Sequence, residues 1–322
     1  MFNQKTILIT GGTGSWGQEA TSKILKYNPT EIRIYARNEF NLVTMQRKFN
    51  NPKLKFIIGD VRDYDQLNLS CKNVDYVLHL SALKHVPLAE EFPSEFIKTN
   101  INGTENVIKA SINNNVKRVI DASSDKACEP SGVYGATKFI AERMILYANL
   151  YKSNTEFQCI RGGNVMGSAG SVIPLFIEQI KKYNKVTITD DRMTRYFITL
   201  SQAIDLVFLG IESNILNATY IINMPSCRII DLANVLINSY GNKDTKIEIT
   251  GIRAGEKLHE VLISKTEALN SYIYNDNYYL IFPVNNPNVN LPKVQFSEYN
   301  SSTKLMSMSE IEEMLRKGNF IK

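Results

Sequence analysis

Four cysteines and three histidines are all that this chain offers to a disulfide or a metal. Cys71, Cys128, Cys159 and Cys227 are scattered without paired spacing. His79, His85 and His259 form no HxH or HxxxH set. A disulfide framework and a metal site are therefore not expected, and a reduced, cytoplasmic setting is. No apolar run reaches the roughly 18 residues that a membrane-crossing helix needs. Met1-Phe-Asn-Gln-Lys5 leads straight into a strand-like run, with no room for a signal peptide. The net charge is +5, yet no Lys/Arg block marks a nucleic-acid tail. That excess suits anionic small molecules better than nucleic acid. Internal repeats and low-complexity tracts are absent as well. With 43% hydrophobic and 21% charged residues, the composition is that of a globular protein of one or two domains.

What is present is an alternation of short apolar runs and helical patterns. Lys5-Thr-Ile-Leu-Ile-Thr10, Glu31-Ile-Arg-Ile-Tyr35, Lys55-Phe-Ile-Ile58, Asp75-Tyr-Val-Leu-His-Leu80, Lys117-Arg-Val-Ile-Asp121 and Phe157-Gln-Cys-Ile160 read as strands. Helical patterns separate most of them, notably at 93–113 and 134–151. The alternation predicts an α/β fold with a Rossmann-type doubly wound parallel sheet. Beyond about residue 165 the pattern loosens into a smaller mixed α/β C-terminal substrate domain. Helices are expected there at 174–183, 201–212, 229–240 and 256–263. Residues 285–302, rich in Asn, Pro and Ser, read as an extended surface loop. A last helix at 309–317 carries a Ser309-x-x-Glu312 capping pattern and stops at Gly318. The expected division is 1–165, with 196–222 returning to it, against 166–195 and 223–322.

After the first strand comes Thr10-Gly11-Gly12-Thr13-Gly14-Ser15-Trp16-Gly17. Gly11, Gly14 and Gly17 make a GxxGxxG loop between strand and helix. Glycine permits close backbone approach, so the amides of Thr13, Ser15 and Trp16 can face a diphosphate at the helix start. Such a triplet can also mark a mere tight turn. Its place between strand and helix favours a nicotinamide dinucleotide. About 20 residues on, an NAD site usually has an acid for the ribose diol. Here the region reads Tyr35-Ala-Arg37-Asn-Glu39. Arg37 suits a 2′-phosphate and favours NADP over NAD, with Glu39 as the opposing signal. Asp60 and Val61 are placed for the adenine, and Ser81 and Ala82 for the ribose. Asn100 is either an ordinary helix residue or a support that positions Lys138 through water.

Ser124-Asp125-Lys126 and Tyr134-Gly-Ala-Thr-Lys138 carry the chemistry. Tyrosine and lysine four apart share one helix face. An ammonium beside the phenol favours its ionised form, and a free tyrosine, with a pKa of about 10, needs that help to act as a base. Ser124 can hydrogen-bond the hydroxyl being oxidised. Asp125 and Lys126 add a second acid/base pair, which simple alcohol oxidation does not need. They could instead form a surface ion pair. A lysine base also needs its ordinary pKa of about 10.4 depressed by burial or a cation.

These residues resemble the extended short-chain dehydrogenase/reductases. A narrower resemblance rests on Gly59-Asp-Val-Arg-Asp63, Ala82-Leu-Lys-His-Val-Pro87, Ser124-Asp-Lys-Ala127, Asn164-Val-Met-Gly, Gly170-Ser-Val-Ile-Pro174, Met193-Thr-Arg195 and Arg253-Ala-Gly-Glu-Lys-Leu-His-Glu260. Together they are similar to the inverting UDP-N-acetylglucosamine 4,6-dehydratases. The resemblance implies oxidation at C4 with Tyr134 as base, loss of water across C5–C6, hydride return to C6 and inversion at C5. Asp125 would be the acid for the C6 hydroxyl and Lys126 the base at C5. It implies a UDP-sugar substrate and a homo-oligomer, with no membrane insertion. Lys84 and His85 would line the sugar, or only pin a loop. Arg195 and Arg253 would hold the diphosphate, Glu256 the uridine ribose and Asn164 a phosphate or sugar oxygen.

Three departures stand out. Gly162 replaces a usual tyrosine, Ala169 a usual arginine and Trp16 a common phenylalanine. Other readings are a retaining sugar-nucleotide 4,6-dehydratase, where Glu usually stands in place of Lys126, a 4-epimerase, and a non-catalytic NADP-binding scaffold.

Overall fold

The structure is a computed structural model, and it describes residues 1–168, 170–284 and 289–322. Its first half alternates as the sequence predicts. The order is β1 (Thr6–Thr10), α1 (Ser15–Leu25), β2 (Glu31–Ala36), α2 (Glu39–Phe49), β3 (Leu54–Ile58), α3 (Tyr64–Ser70) and β4 (Tyr76–His79). Next come α4 (Val86–Glu91), α5 (Pro93–Phe96), α6 (Gly103–Asn113), β5 (Arg118–Ser124), α7 (Val133–Ala148) and β6 (Glu156–Gly162). A π-helical stretch, Ile97–Asn102, joins α5 to α6, so the expected helix at 93–113 is continuous but locally widened.

Apolar and β-branched side chains dominate these strands, and burial on both faces explains why. Ile7, Ile9, Ile32 and Ile34 pack on one face of the sheet. Leu8, Val77, Val119 and Phe157 pack on the other. Each such side chain, fully buried, contributes about 1.5–3 kcal/mol.

The second half begins with β7 (Asn164–Val165), α8 (Val172–Tyr183), β8 (Lys185–Ile188), β9 (Thr194–Ile198), α9 (Leu200–Glu212) and β10 (Thr219–Ile222). It continues through β11 (Ser226–Arg228), α10 (Ile229–Tyr240), β12 (Lys246–Ile249), β13 (Val261–Ile263) and α11 (Lys265–Ala268). The chain ends with β14 (Ser271–Asn275), β15 (Tyr278–Ile281), β16 (Tyr299–Asn300) and α12 (Met308–Lys317).

The large sheet has the order β14-β15-β10-β6-β5-β4-β1-β2-β3. From β10 to β3 every pairing is parallel, and the β14–β15 hairpin adds an antiparallel edge. Strand order reverses between β1 and β4, which opens a crevice at the carboxyl ends of the strands. Of the segment 196–222, β10 pairs in this sheet while β9 pairs with β7 and β11, and the 271–281 hairpin, which the expected division put with the second portion, joins the large sheet. A separate core gathers Ile173, Phe176, Phe197, Leu232, Leu236, Ile311 and Leu315.

Three local expectations need correction. Residues 256–263 are not a helix. Gly255 takes a left-handed turn at φ +76°, and Val261–Ile263 pair with β16. The carbonyls of Lys257 and Leu258 accept hydrogen bonds from Arg195 instead of from a following helical turn. The last helix is capped by Ser307 and Glu310, two residues earlier than expected. Part of the 285–302 loop, 285–288, lies outside the described residues, as does Ala169. Leu291, Val294 and Phe296 of that loop pack against the main core.

Candidate functional site

The crevice is a cavity of about 740 Å³. At one end lies the glycine loop. Gly11 has φ +65°, and a Cβ there would come within 2.9 Å of the Leu80 carbonyl and the Ser81 amide. A Cβ on Gly17 would sit 2.3 Å from the Gly12 oxygen, so Gly17 lets the helix start press on the loop. Gly17 itself does not line the cavity, whereas Gly11, Thr13, Gly14, Ser15 and Trp16 do. Gly14 caps α1 without a side chain. The first-turn amides of α1 therefore have no side-chain cap competing for them, which fits a diphosphate.

Arg37, Asn38, Asp60 and Val61 continue the wall, and Glu39 does not. Arg37 is half-exposed and 3.8 Å from Asp60. Burial would raise the Asp60 pKa, but hydrogen bonds from Arg62 and the nearby Arg37 bring it below the usual range. Asn38 spends its side chain capping α2. Ser81 and Ala82 follow β4 along the same wall.

At the other end, β5 runs out into Ser124, Asp125 and Lys126, all lining the cavity. Ser124 Oγ donates to Asp125 Oδ1 at 2.8 Å, and Lys126 Nζ donates to the same oxygen at 3.1 Å. Asp125 is only 1% exposed, so the pair is no solvated surface bridge. Glu260 stands on the far side of Lys126, with Oε1 at 3.3 Å. Burial would lower the Lys126 pKa, but the two carboxylates outweigh it and hold the ammonium charged. This is the reverse of the depression that a lysine base was expected to need.

Tyr134 and Lys138 face the cavity from α7. Tyr134 is 9% exposed and meets Phe96 edge-on. The Lys138 ammonium lies 3.4 Å from Asp121 Oδ2, both groups almost wholly buried. Burial opposes its charge, but Asp121 and then Tyr134 raise its pKa. Asn100 does not reach Lys138 directly. It donates to Thr137 Oγ1 and the Leu83 carbonyl, and accepts from the Leu83 amide, tying the Leu83 loop to α7.

Lys84, His85, Asn164, Arg195 and Glu256 line the cavity, but Arg253 does not. Arg253 is half-exposed beside Glu256, whose carboxylate accepts from its backbone amide. Arg195 is buried and gives its terminal nitrogens to the carbonyls of Thr194, Lys257 and Leu258. Few of its donors remain for a phosphate. Trp16 and Gly162 face each other, and a Cβ on Gly162 would meet the indole at 3.7 Å, an ordinary contact.

Sequence reasoning passed over Glu260 and Asp121. A carboxylate inside the apolar run Arg118-Val-Ile-Asp-Ala122 was the available signal for Asp121. Glu260 closed a quoted motif, but only the fold brings it to Lys126.

Residues 7–281 match the model of the family described as polysaccharide biosynthesis protein. The chain belongs to that family. It is 45% identical over 287 residues to the inverting UDP-N-acetylglucosamine 4,6-dehydratase of Campylobacter jejuni, covering 88% of this chain and 84% of that one. It is 39% identical over 337 residues to a UDP-glucose 4-epimerase of Rickettsia felis, covering 100% and 98%. Among solved structures, Pen from Bacillus thuringiensis superposes with a TM-score of 0.95 at 38% identity, covering all of both chains. The Rossmann-type fold of extended short-chain dehydrogenase/reductases is thus that of a polysaccharide biosynthesis protein. Among the described residues no helix is long and apolar enough to cross a membrane, and no cluster of His, Cys, Asp and Glu could hold a metal ion.

Proposed function

We propose that this protein is an NADP-dependent UDP-N-acetylglucosamine 4,6-dehydratase that inverts C5. Its product would be UDP-2-acetamido-2,6-dideoxy-L-arabino-hexos-4-ulose. The observation that carries the reading is one cavity lined both by the Tyr134/Lys138 pair and by an Asp125–Lys126 ion pair whose carboxylate is buried. Alcohol oxidation alone needs only the first. The likeness to the Campylobacter jejuni enzyme supports the same reaction.

The glycine loop and the uncapped start of α1 would hold the cofactor diphosphate, and Arg37 a 2′-phosphate. When bound, the nicotinamide supplies a hydride acceptor that later returns the hydride. Ser124 orients the C4 hydroxyl, and Tyr134 takes its proton. The Lys138 ammonium favours the phenolate that this requires. The ketone at C4 acidifies the C5 hydrogen. Lys126, once neutral, removes it, and Asp125, carrying a proton, gives that proton to the departing C6 hydroxyl. Lys84, His85, Asn164 and Glu256 would contact the UDP-sugar. Residues 166–195 and 223–322 would form most of its binding portion.

A second reading, a UDP-sugar 4-epimerase, is favoured by the name of the Rickettsia felis relative. One assay separates the two. Purified protein with UDP-N-acetylglucosamine should give a product about 18 mass units lighter, the loss of one water, without net consumption of reduced cofactor. A product of unchanged mass with an inverted C4 hydroxyl would reject the dehydratase and support the epimerase. Tight NADP binding without turnover would reject both.

A further inference from the structure

Trp16 is the single tryptophan of the chain. It stands in the first turn of α1, directly after the glycine loop, where it packs against the main core and lines the cavity. The far end of its indole reaches the end of β6: a Cβ on Gly162 would stand 3.7 Å from Cη2. Gly162 is in turn the register partner of Ser124 on β5. One flat side chain therefore spans the cavity wall from the start of α1 to the level of Ser124.

Gly162 is a glycine for an unusual reason. Gly11 needs its positive φ, and Gly17 has no room for a Cβ against the Gly12 carbonyl. Gly162 has neither need. Its φ is not positive, and a Cβ would make only ordinary contacts with Trp16 and Ile198, at 3.7 and 3.6 Å. A side chain longer than Cβ would compete with the indole and Ile198 for the same space. Gly162 is small to make room for Trp16.

A dinucleotide held by its diphosphate at the start of α1, and reacting beside Ser124 and Tyr134, has to lay its nicotinamide along this wall. The diphosphate needs only backbone amides there, so it does not explain a large aromatic side chain. The oxidised nicotinamide ring is flat and cationic, and indole is the aromatic face that attracts a cation best. We propose that Trp16 is a cofactor-positioning residue: its indole packs on the nicotinamide ring and holds it beside Ser124 and Tyr134, and Gly162 leaves the indole the room to do so. The assignment rests on the nicotinamide reading of the site and is independent of which sugar is bound. It also suits the reaction proposed above, which uses the ring twice. The diphosphate anchor alone leaves a nicotinamide free to turn about its bond to the ribose, whereas an indole wall keeps it in place between the two hydride transfers.

With one tryptophan in the chain, fluorescence reports this position alone. The test titrates NADP⁺ and NAD⁺ into the full chain beside the fragments that lack only the nicotinamide, 2′-phospho-ADP-ribose and ADP-ribose. Contact with an oxidised nicotinamide quenches indole emission, so the dinucleotide that binds should quench it and its fragment should not. Calorimetry supplies the affinities. Trp16→Leu should weaken the dinucleotide about 2–10-fold, the range of one aromatic pair, and leave the affinity of the fragment unchanged. In that variant the transient of reduced nicotinamide formed with UDP-N-acetylglucosamine should slow about 10–100-fold, as it does for a misplaced reactant. Trp16→Phe keeps a ring and should restore most of both. Equal quenching by dinucleotide and fragment overturns the assignment. So does a Trp16→Leu chain that loses both ligands to the same extent, the mark of a purely structural role. The binding measurements need no turnover, so a wrong sugar leaves them intact. A wild-type chain that binds neither dinucleotide overturns the nicotinamide reading and this assignment with it. Dinucleotide binding without a nicotinamide-dependent effect overturns the role of Trp16 alone.

Discussion

Replacing Asp121 by asparagine should destabilise the protein more than any loss of surface charge. Asp121 and Lys138 lie on β5 and α7, 3.4 Å apart, with side chains 1% and 4% exposed. At an effective dielectric of about 20, two unit charges at that distance attract by about 5 kcal/mol. Asparagine removes the attraction and leaves the ammonium buried. Stranding one member of a buried pair typically costs about 3–5 kcal/mol. That is a large part of the 5–15 kcal/mol that holds a typical domain folded. Urea unfolding measures it. With a slope near 3 kcal/mol per molar, the midpoint should fall by about 1–1.7 M. The pH dependence gives the sign. Lys138 has a raised folded pKa, so its contribution is complete below the unfolded value of 10.5 and is lost as pH rises through the folded value. In Asp121→Asn that alkaline loss should disappear. A double variant, Asp121→Val with Lys138→Met, should be more stable than Asp121→Asn alone, because no buried charge is stranded. A midpoint shift under about 0.2 M in Asp121→Asn, or a double variant that is simply additive, would refute the reasoning.

Acid should act on His79. Burial pushes its pKa down from 6.5 to about 4, so stability is present above pH 6.5 and is lost as pH falls toward 4, by about 3 kcal/mol. His79→Gln should flatten that slope in equilibrium unfolding. Arg161→Met should cost at least about 3–5 kcal/mol and reduce soluble yield. The arginine is fully buried, and its guanidinium serves Glu142, Glu267 and the Leu262 carbonyl. A melting temperature within a few degrees of wild type would contradict this. Lys126→Ala should leave C4 oxidation, seen as a transient of reduced nicotinamide, less impaired than water loss. Equal loss of both steps would show that Lys126 is not specific to elimination.

The strands and the glycine loop were legible because their signals are local. Runs such as Thr6-Ile-Leu-Ile-Thr10 need both faces buried, and a glycine triplet at a strand-to-helix turn needs close backbone approach. The Ser124–Lys126 and Tyr134/Lys138 groups were legible as fixed spacings on one strand end and one helix face. The segment 256–263 misled because its apolar spacing suits a helix. Only a distant arginine, Arg195, shows that its carbonyls are already used. Arg195 itself looked free to clamp a phosphate until the fold showed its donors spent on the backbone. A base role for Lys126 was expected to need its pKa depressed by burial or a cation. Burial is real, but Asp125 and Glu260 outweigh it, and the approach of Glu260 is set by tertiary packing alone. Long-range electrostatics of this kind leaves no local trace in a sequence.

The most direct test of the central claim, that Tyr134 and the Asp125–Lys126 pair work on one sugar ring, is proton NMR of the product formed from UDP-N-acetylglucosamine in deuterated water. The account predicts a 6-deoxy-4-keto sugar with inverted, deuterated C5. A product that keeps the original C5 configuration, or one that has merely exchanged its C4 stereochemistry without losing the C6 hydroxyl, would contradict it.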